Sequence, residues 1–420
     1  MDFKEKINVY RSQSINLKFR SSLIFFAIFI NFQFMIIQFV YRSRNTSPDF
    51  LIFYETSERF LSGANLYFAE DDGIGFAPTF LYLLFSPFTL LEPQVASKIF
   101  IAINSFLILG IIYLLRHHLP RGHLIIVLTV LNASYSIRSI VNNGQTGIIV
   151  LILQVWLLIS VNKKSKKSLM LKSAVLFMLL ELKPYLILPY FIYLLVSKKK
   201  ESYMSIGFAL IFEMIYFYIN PTSTMYNYLR LILNRSQETK TEIDQSSFLS
   251  LVNGNLILFL FYLVAILIFV FKNFPKSEPD RVVILFILAP LISTYFHRQD
   301  SAFATLIFAM VLTKANKYFV AILILLLLNT GTFNIYFYGE LLLMLTVLIL
   351  LVPLTKKLGY FLVLGLTSYS YIIYKIGVGY GYQSAYGLWT FLVYLFQFMM
   401  FFYYVRHIKS GDLFSKNEID

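Results

Sequence analysis

The feature that most constrains this chain is a succession of long apolar runs. They lie approximately at 21–41, 96–115, 123–138, 146–161, 169–182, 185–197, 203–219, 249–271, 282–296, 301–313, 318–331, 335–354, 358–375 and 386–405. Crossing a bilayer takes ~20 apolar residues in a helix, and only helices or closed barrels satisfy their backbone polar groups there. The expectation is an all-α polytopic membrane protein, one integral domain over 1–420, with about twelve to fourteen spans. Several runs are shorter than a full crossing and read as half-helices or paired hairpins.

Composition supports this class. Hydrophobic residues make up 58% of the chain and charged residues 14%. Without cysteine, disulfide and thiol chemistry are excluded. The net charge of +14 would suggest nucleic acid in a soluble protein. Here Lys and Arg mark cytoplasmic loops and meet anionic lipid, so no nucleic-acid partner is expected. Residues 1–20 carry charges of both signs, and the first run lacks a small-residue cleavage site, so it reads as a retained span.

If every run crosses once, the basic clusters all fall on one side. They are Arg11 to Arg20, Arg116 to Arg121, Lys163 to Lys172, Lys198 to Lys200, Lys272 to Arg281, Lys314 with Lys317, Lys356 with Lys357, and Arg406 to Lys409. The positive-inside rule makes that side the cytoplasm and puts both termini there. A bacterial plasma membrane is the expected location. The first outer loop, 44–92, and a second, 221–248, then lie on the opposite side. Residues 44–75 carry six acids against two bases.

The first outer loop opens with a helix signal. Ser47 suits an N-cap, Pro48 the first helical position, and Asp49 the first turn, where an acid is favoured by the helix dipole. Phe50, Phe53, Tyr54 and Leu61 recur at helical spacing, with Glu55, Glu58 and Arg59 opposite as a solvated face. Gly63 can end the helix. Segment 76–92 reads as a second interfacial or re-entrant helix pair, broken near Pro87.

Candidate reactive groups gather on the outer side. Asp49 is the main one: a carboxylate against a sugar hydroxyl can take its proton as a new bond forms. Glu181 and Lys183 precede Pro184 at a helix end, and Lys183 suits a phosphate as a point charge. Arg138 and the polar residues Asn142, Asn143, Gly144 and Gln145 lie between two spans and read as a polar turn. His297, Arg298 and Asp300 could bind an anion or orient a base. Asp71 and Asp72 read as solvated turn residues. There is no metal-ligand signature, nucleotide-binding glycine loop or nucleophile elbow, so neither metal nor cofactor is expected.

Several short motifs resemble one family in order and spacing. They are Asp49-Phe50 with Tyr54, Gly63-x-x-x-Tyr67, Pro78 with Pro87, Gly144-Gln145, Lys183-Pro184, Gln245-Ser246 and His297. Together they are similar to glycosyltransferase family 87 of the GT-C superfamily, the polyprenyl-phosphate-mannose-dependent mannosyltransferases. Phe76-Ala77-Pro78 stands where that family has Tyr-Pro-Pro, Gly147 where an Asn is common, and Asp244 where an Asn precedes Gln-Ser. The resemblance implies an inverting sugar transfer, of mannose, from a polyprenyl-phosphate donor to a glycan or glycolipid acceptor at the outer membrane face. Asp49 would be the general base. Lys183, His297, Arg298, Arg138, Gln145, Tyr54 and Tyr67 would bind substrate. The alternatives are a lipid-linked polysaccharide polymerase or ligase, and a polytopic transporter. A transporter would need charges deep within several spans, and only Glu213 is so placed.

Overall fold

The structure, a computed structural model, describes residues 46–67, 78–119, 121–230, 255–293, 298–311 and 382–407, with single positions 28, 29, 32 and 36 in the first apolar run. Among the described residues it is helical and contains no strand. The first outer-loop helix, α1, spans Pro48–Leu61. After it come α2 (Thr79–Phe85), which passes directly into a 3-10 turn at Ser86–Leu90, and α3 (Pro93–Leu115). The run 123–138 is not one helix. It divides into α4 (Arg121–Ala133) and α5 (Tyr135–Asn143). Ser134 is extended there and its hydroxyl accepts the Ile137 N–H, so the chain stops and restarts a helix at that residue.

The bundle continues with α6 (Gly147–Ser160), α7 (Lys166–Leu182), α8 (Pro184–Val196) and α9 (Lys200–Ile219). Then follow α10 (Leu256–Lys272), α11 (Glu278–Ile292), a 3-10 turn at Arg298–Ser301, α12 (Ala302–Val311) and α13 (Tyr382–His407). The pairs α7–α9, α8–α11, α4–α12, α3–α6 and α11–α13 form the main packing contacts. One apolar core runs through them.

Among the described residues two helices, α3 with 23 residues and α9 with 20, are long and apolar enough to cross a membrane. Shorter apolar helices include α6, α8, α10 and α12. A 14-residue helix such as α6 is only about 21 Å long, short of the ~30 Å hydrocarbon core. The outer faces of α9 and α10 are apolar as well as their packed faces. Leu210, Met214 and Phe217 on α9, and Ile257, Phe261 and Phe271 on α10, are all exposed. A helix apolar on every side, with its free face bare, suits lipid rather than water.

The outer-loop helix forms as its spacing predicts, with two differences. Ser47 occupies the N-cap position, but its hydroxyl makes no cap bond and its backbone N–H donates to Ser97 on α3 at 3.1 Å. The buried face is Phe50, Tyr54, Thr56, Ser57 and Phe60, while Leu61 is exposed. The hydroxyls of Thr56 and Ser57 donate to carbonyls one turn back, which lets two polar residues join that face. Gly63 ends the helix at φ +73, with the Ala64 N–H donating to the Arg59 carbonyl. The break near Pro87 is present as the change from α2 to the 3-10 turn.

Candidate active site

Asp49 sits half-buried in the first turn of α1. The side-chain amide of Gln145 donates through Nε2 to its Oδ2. Gln145 therefore does more than decorate a polar turn. It follows Gly144, which closes α5 in the left-handed region at φ +69, with the Gln145 N–H donating to the Ile140 carbonyl. Glycine is required twice over. A Cβ at 144 would lie 2.6 Å from Cβ of Phe50 and 3.0 Å from Cβ of Ser47, so the α5 terminus and the start of α1 touch backbone to side chain.

Helix α3 holds both partners. Ser97 takes the Ser47 N–H, and Asn104 donates through Nδ2 to the Gln145 carbonyl at 3.2 Å. Both side chains are buried. They lie seven residues apart, two helical turns on one face. Sequence reasoning missed them, because Gln94, Lys98 and Ser105 on the same helix are polar too and nothing local singles out Ser97 and Asn104. The Gln145 Oε1 is itself buried and has no hydrogen-bond partner among the described residues. An acceptor oxygen beside a carboxylate is suited to a hydroxyl donor such as a sugar.

A second cluster lies at the junction of α7 and α8. Lys183 alone separates the two helices, at φ −150 and ψ 77. Pro184 explains this, because proline drives the preceding residue out of the helical region. Lys183 Nζ forms an ion pair with Asp300, and Tyr185 donates its hydroxyl to the other Asp300 oxygen at 2.6 Å. The side-chain exposures are 12% for Lys183 and 1% for Asp300, so the pair is largely withdrawn from water. Ser301, the next residue, shares a hydrogen bond with Ser136 on α5. Arg138, buried, lies on α5 half a turn further on, inside a helix rather than in a turn.

Helix α5 thus joins the two clusters. Ser136 near its start reaches the Arg298–Ser301 turn, and Gly144-Gln145 at its end reaches Asp49. Nine residues give it a length of about 13 Å. Arg298 begins that 3-10 turn. His297, Gln245, Ser246, Asp71 and Asp72 lie outside the described residues. Among the described residues no group of three or more His, Cys, Asp or Glu side chains could hold a metal ion.

Tyr54 and Tyr67 have structural partners. The Tyr54 hydroxyl donates to the Leu91 carbonyl at 2.9 Å, fastening α1 to the end of the 3-10 turn. Tyr67 is wholly buried, shares a hydrogen bond with Thr79 at 3.0 Å, and packs on the ring of Tyr228. Burial pushes its hydroxyl well above the ordinary tyrosine range, with the charges of Glu181 and Glu213 adding to the effect. Thr79 passes the link on to the Ser223 carbonyl. Asn220 completes the clamp, donating to the Ala64 carbonyl at 2.8 Å. Helix α7, which carries Glu181 near its end, packs against α2 and so braces the same loop. Glu213, the deep charge on α9, accepts the Met225 N–H.

The bundle thus holds one carboxylate by a glutamine, about one short helix from a buried lysine–aspartate pair. The model of glycosyltransferase family 87 matches residues 77–313, more than half of the 420. The chain is a glycosyltransferase, and it belongs to family 87. The matched segment includes Arg138, Gln145, Lys183, His297 and Arg298; Asp49, Tyr54 and Tyr67 precede it. No curated protein matches the chain.

Proposed function

We propose that the chain transfers a hexose, mannose by the family resemblance, from a polyprenyl-phosphate donor to an acceptor hydroxyl at the outer face of a bacterial plasma membrane. The observation that carries this reading is the Asp49 carboxylate, fixed by Gln145 at a helix start in a family 87 chain. The acceptor oxygen attacks the anomeric carbon from the face opposite the phosphate. Its proton passes to Asp49, and the C–O bond to phosphate breaks with the electron pair leaving on the phosphate oxygen. The configuration inverts. The unpartnered Gln145 Oε1 takes a sugar hydroxyl and helps to orient it.

The leaving group gains charge as the bond breaks, and cations near it lower the barrier. Lys183 is the first candidate, held by Asp300 and Tyr185 so that its position is set before substrate arrives. Arg138, His297 and Arg298 are the others. Tyr54 and Tyr67 contribute by holding the outer loop over the site. The chain is read as a GT-C type bundle of about twelve to fourteen spans with both termini cytoplasmic. Its first outer loop, 44–92, carries α1 and α2, and the second covers 221–248.

The test is incubation of membranes carrying the protein with labelled polyprenyl-phosphate mannose, glucose or arabinose. Transfer from mannose is expected, and Asp49→Asn should reduce it about a hundredfold or more while the protein stays folded, since a positioned base contributes about 10²–10⁴-fold. Wild-type activity in that variant would remove Asp49 from the mechanism. Transfer from one of the other donors alone would replace the sugar.

A further inference from the structure

At the opposite end of α6, α7, α8 and α9 from the active site lies a cavity of about 400 Å³. That volume is within the range of small-ligand sites, about 300–1,000 Å³. Six lysines line it: Lys163, Lys164, Lys172, Lys198, Lys199 and Lys200. Its inner wall is apolar, made by Leu157, Leu176, Tyr190 and Leu194, all buried.

Two acids also line it, and both are already engaged. Glu201 pairs with Lys172 at 2.9 Å. Glu278 pairs with Lys199 at 3.0 Å and Arg281 at 3.4 Å, and accepts the Tyr193 hydroxyl. Lys163, Lys164, Lys198 and Lys200 form no ion pair among the described residues, so the cavity keeps a surplus of positive charge.

The backbone points the same way. Lys198 closes α8 at φ +52, with the Lys199 N–H donating to the Leu194 carbonyl. That left-handed position ordinarily takes glycine or asparagine, and a lysine there breaks a local rule. Helix α9 also begins with a lysine of the cavity, Lys200, where the helix dipole disfavours cations and favours an anion. Topological sorting accounts for lysines in a loop. It does not account for their convergence on a cavity with an apolar wall.

We propose that this cavity binds the phosphate-bearing headgroup of an anionic membrane lipid. The lysines and the α9 N-terminus meet the phosphate, and the leucine wall receives the start of an acyl chain, which a free phosphate lacks. This rests on reading the chain as a membrane protein, and it is independent of the role given to Asp49.

The full chain is purified in detergent and its lipid retention measured by native mass spectrometry with phosphatidylglycerol, phosphatidylcholine or inorganic phosphate. Phosphatidylglycerol is retained and phosphatidylcholine is not. The triple variant K163Q/K164Q/K198Q retains about tenfold less. The variant K166Q/K167Q/K276Q removes as many charges outside the cavity and stays near wild type. Lys198→Gly, which removes a charge and relieves the left-handed strain, folds at least as well as wild type and still retains less lipid. Equal loss in both triple variants, or no loss in the first, overturns the proposal. So does full displacement of the lipid by millimolar phosphate, which would make the site one for a free anion. Asp49→Asn leaves lipid retention unchanged, so failure of either reading is seen separately.

Discussion

The two ends of helix α7 use charge in opposite ways. At Lys183 a single lysine is 12% exposed, answered by one aspartate and one tyrosine hydroxyl. About 25 Å away, at the start of the same 17-residue helix, six lysines surround a cavity and only two are paired to acids that line it. The first arrangement fixes one group in one place. The second makes a field. Chemistry on a reacting bond needs the former, because a displacement of about 1 Å can cost a hundredfold in rate. Holding a lipid headgroup needs only the latter.

The largest effect that separates the two ends should come from Asp300→Ala. It leaves Lys183 charged and nearly buried, and breaking such a pair costs about 3–5 kcal/mol. Melting in detergent should fall sharply and transfer should vanish. The double variant K183M/D300N removes both charges and should recover most of the stability without recovering transfer. If transfer returns as well, Lys183 serves the fold and not the phosphate. Single Lys→Gln changes at the four exposed, unpaired cavity lysines, Lys163, Lys164, Lys198 and Lys200, should each leave melting nearly unchanged, because exposed lysines contribute little to stability.

Gly144→Ala should come next, at about 2–3 kcal/mol, from left-handed strain and the contact with Phe50. It also moves Gln145 away from Asp49, so kcat should fall more than KM rises. Gln145→Leu keeps the backbone and removes the amide, so it should lower kcat with little loss of stability. Equal falls in both variants would place the effect on Gln145; a fall in Gly144→Ala alone would make it one of packing.

What the sequence made legible divides along the same line. The helix at Pro48–Leu61, its Gly63 stop and the break at Lys183-Pro184 were readable because each depends on neighbours in the chain. The positive clusters were readable as a count. The partners of Asp49 and Lys183 were not, because Gln145 and Asp300 are brought to them from 96 and 117 residues away. Gly144-Gln145 looked like a polar turn since nothing local showed that α1 would be pressed against it. The division of 123–138 at Ser134 was missed because its apolar pattern continues through a residue whose side chain caps a new helix. Lys198 in a left-handed turn has no sequence signal at all.

The smallest expected effect is the one that sorts binding from bracing in the outer loop. Tyr67 matches the family pattern as a substrate residue, yet its hydroxyl meets Thr79, its ring meets Tyr228 and none of it is exposed. Tyr67→Phe removes one buried hydrogen bond and should cost about 1 kcal/mol. Thr79 keeps the Ser223 carbonyl as acceptor, so no polar group is stranded. Transfer should stay within about twofold of wild type, with KM for donor and acceptor unchanged, since a loop held by Asn220 and by α7 packed against α2 keeps its place. A rise in KM without any change in melting would instead give the hydroxyl a role on substrate. In that case the loop must move on binding far enough to bring a wholly buried ring into contact with the sugar.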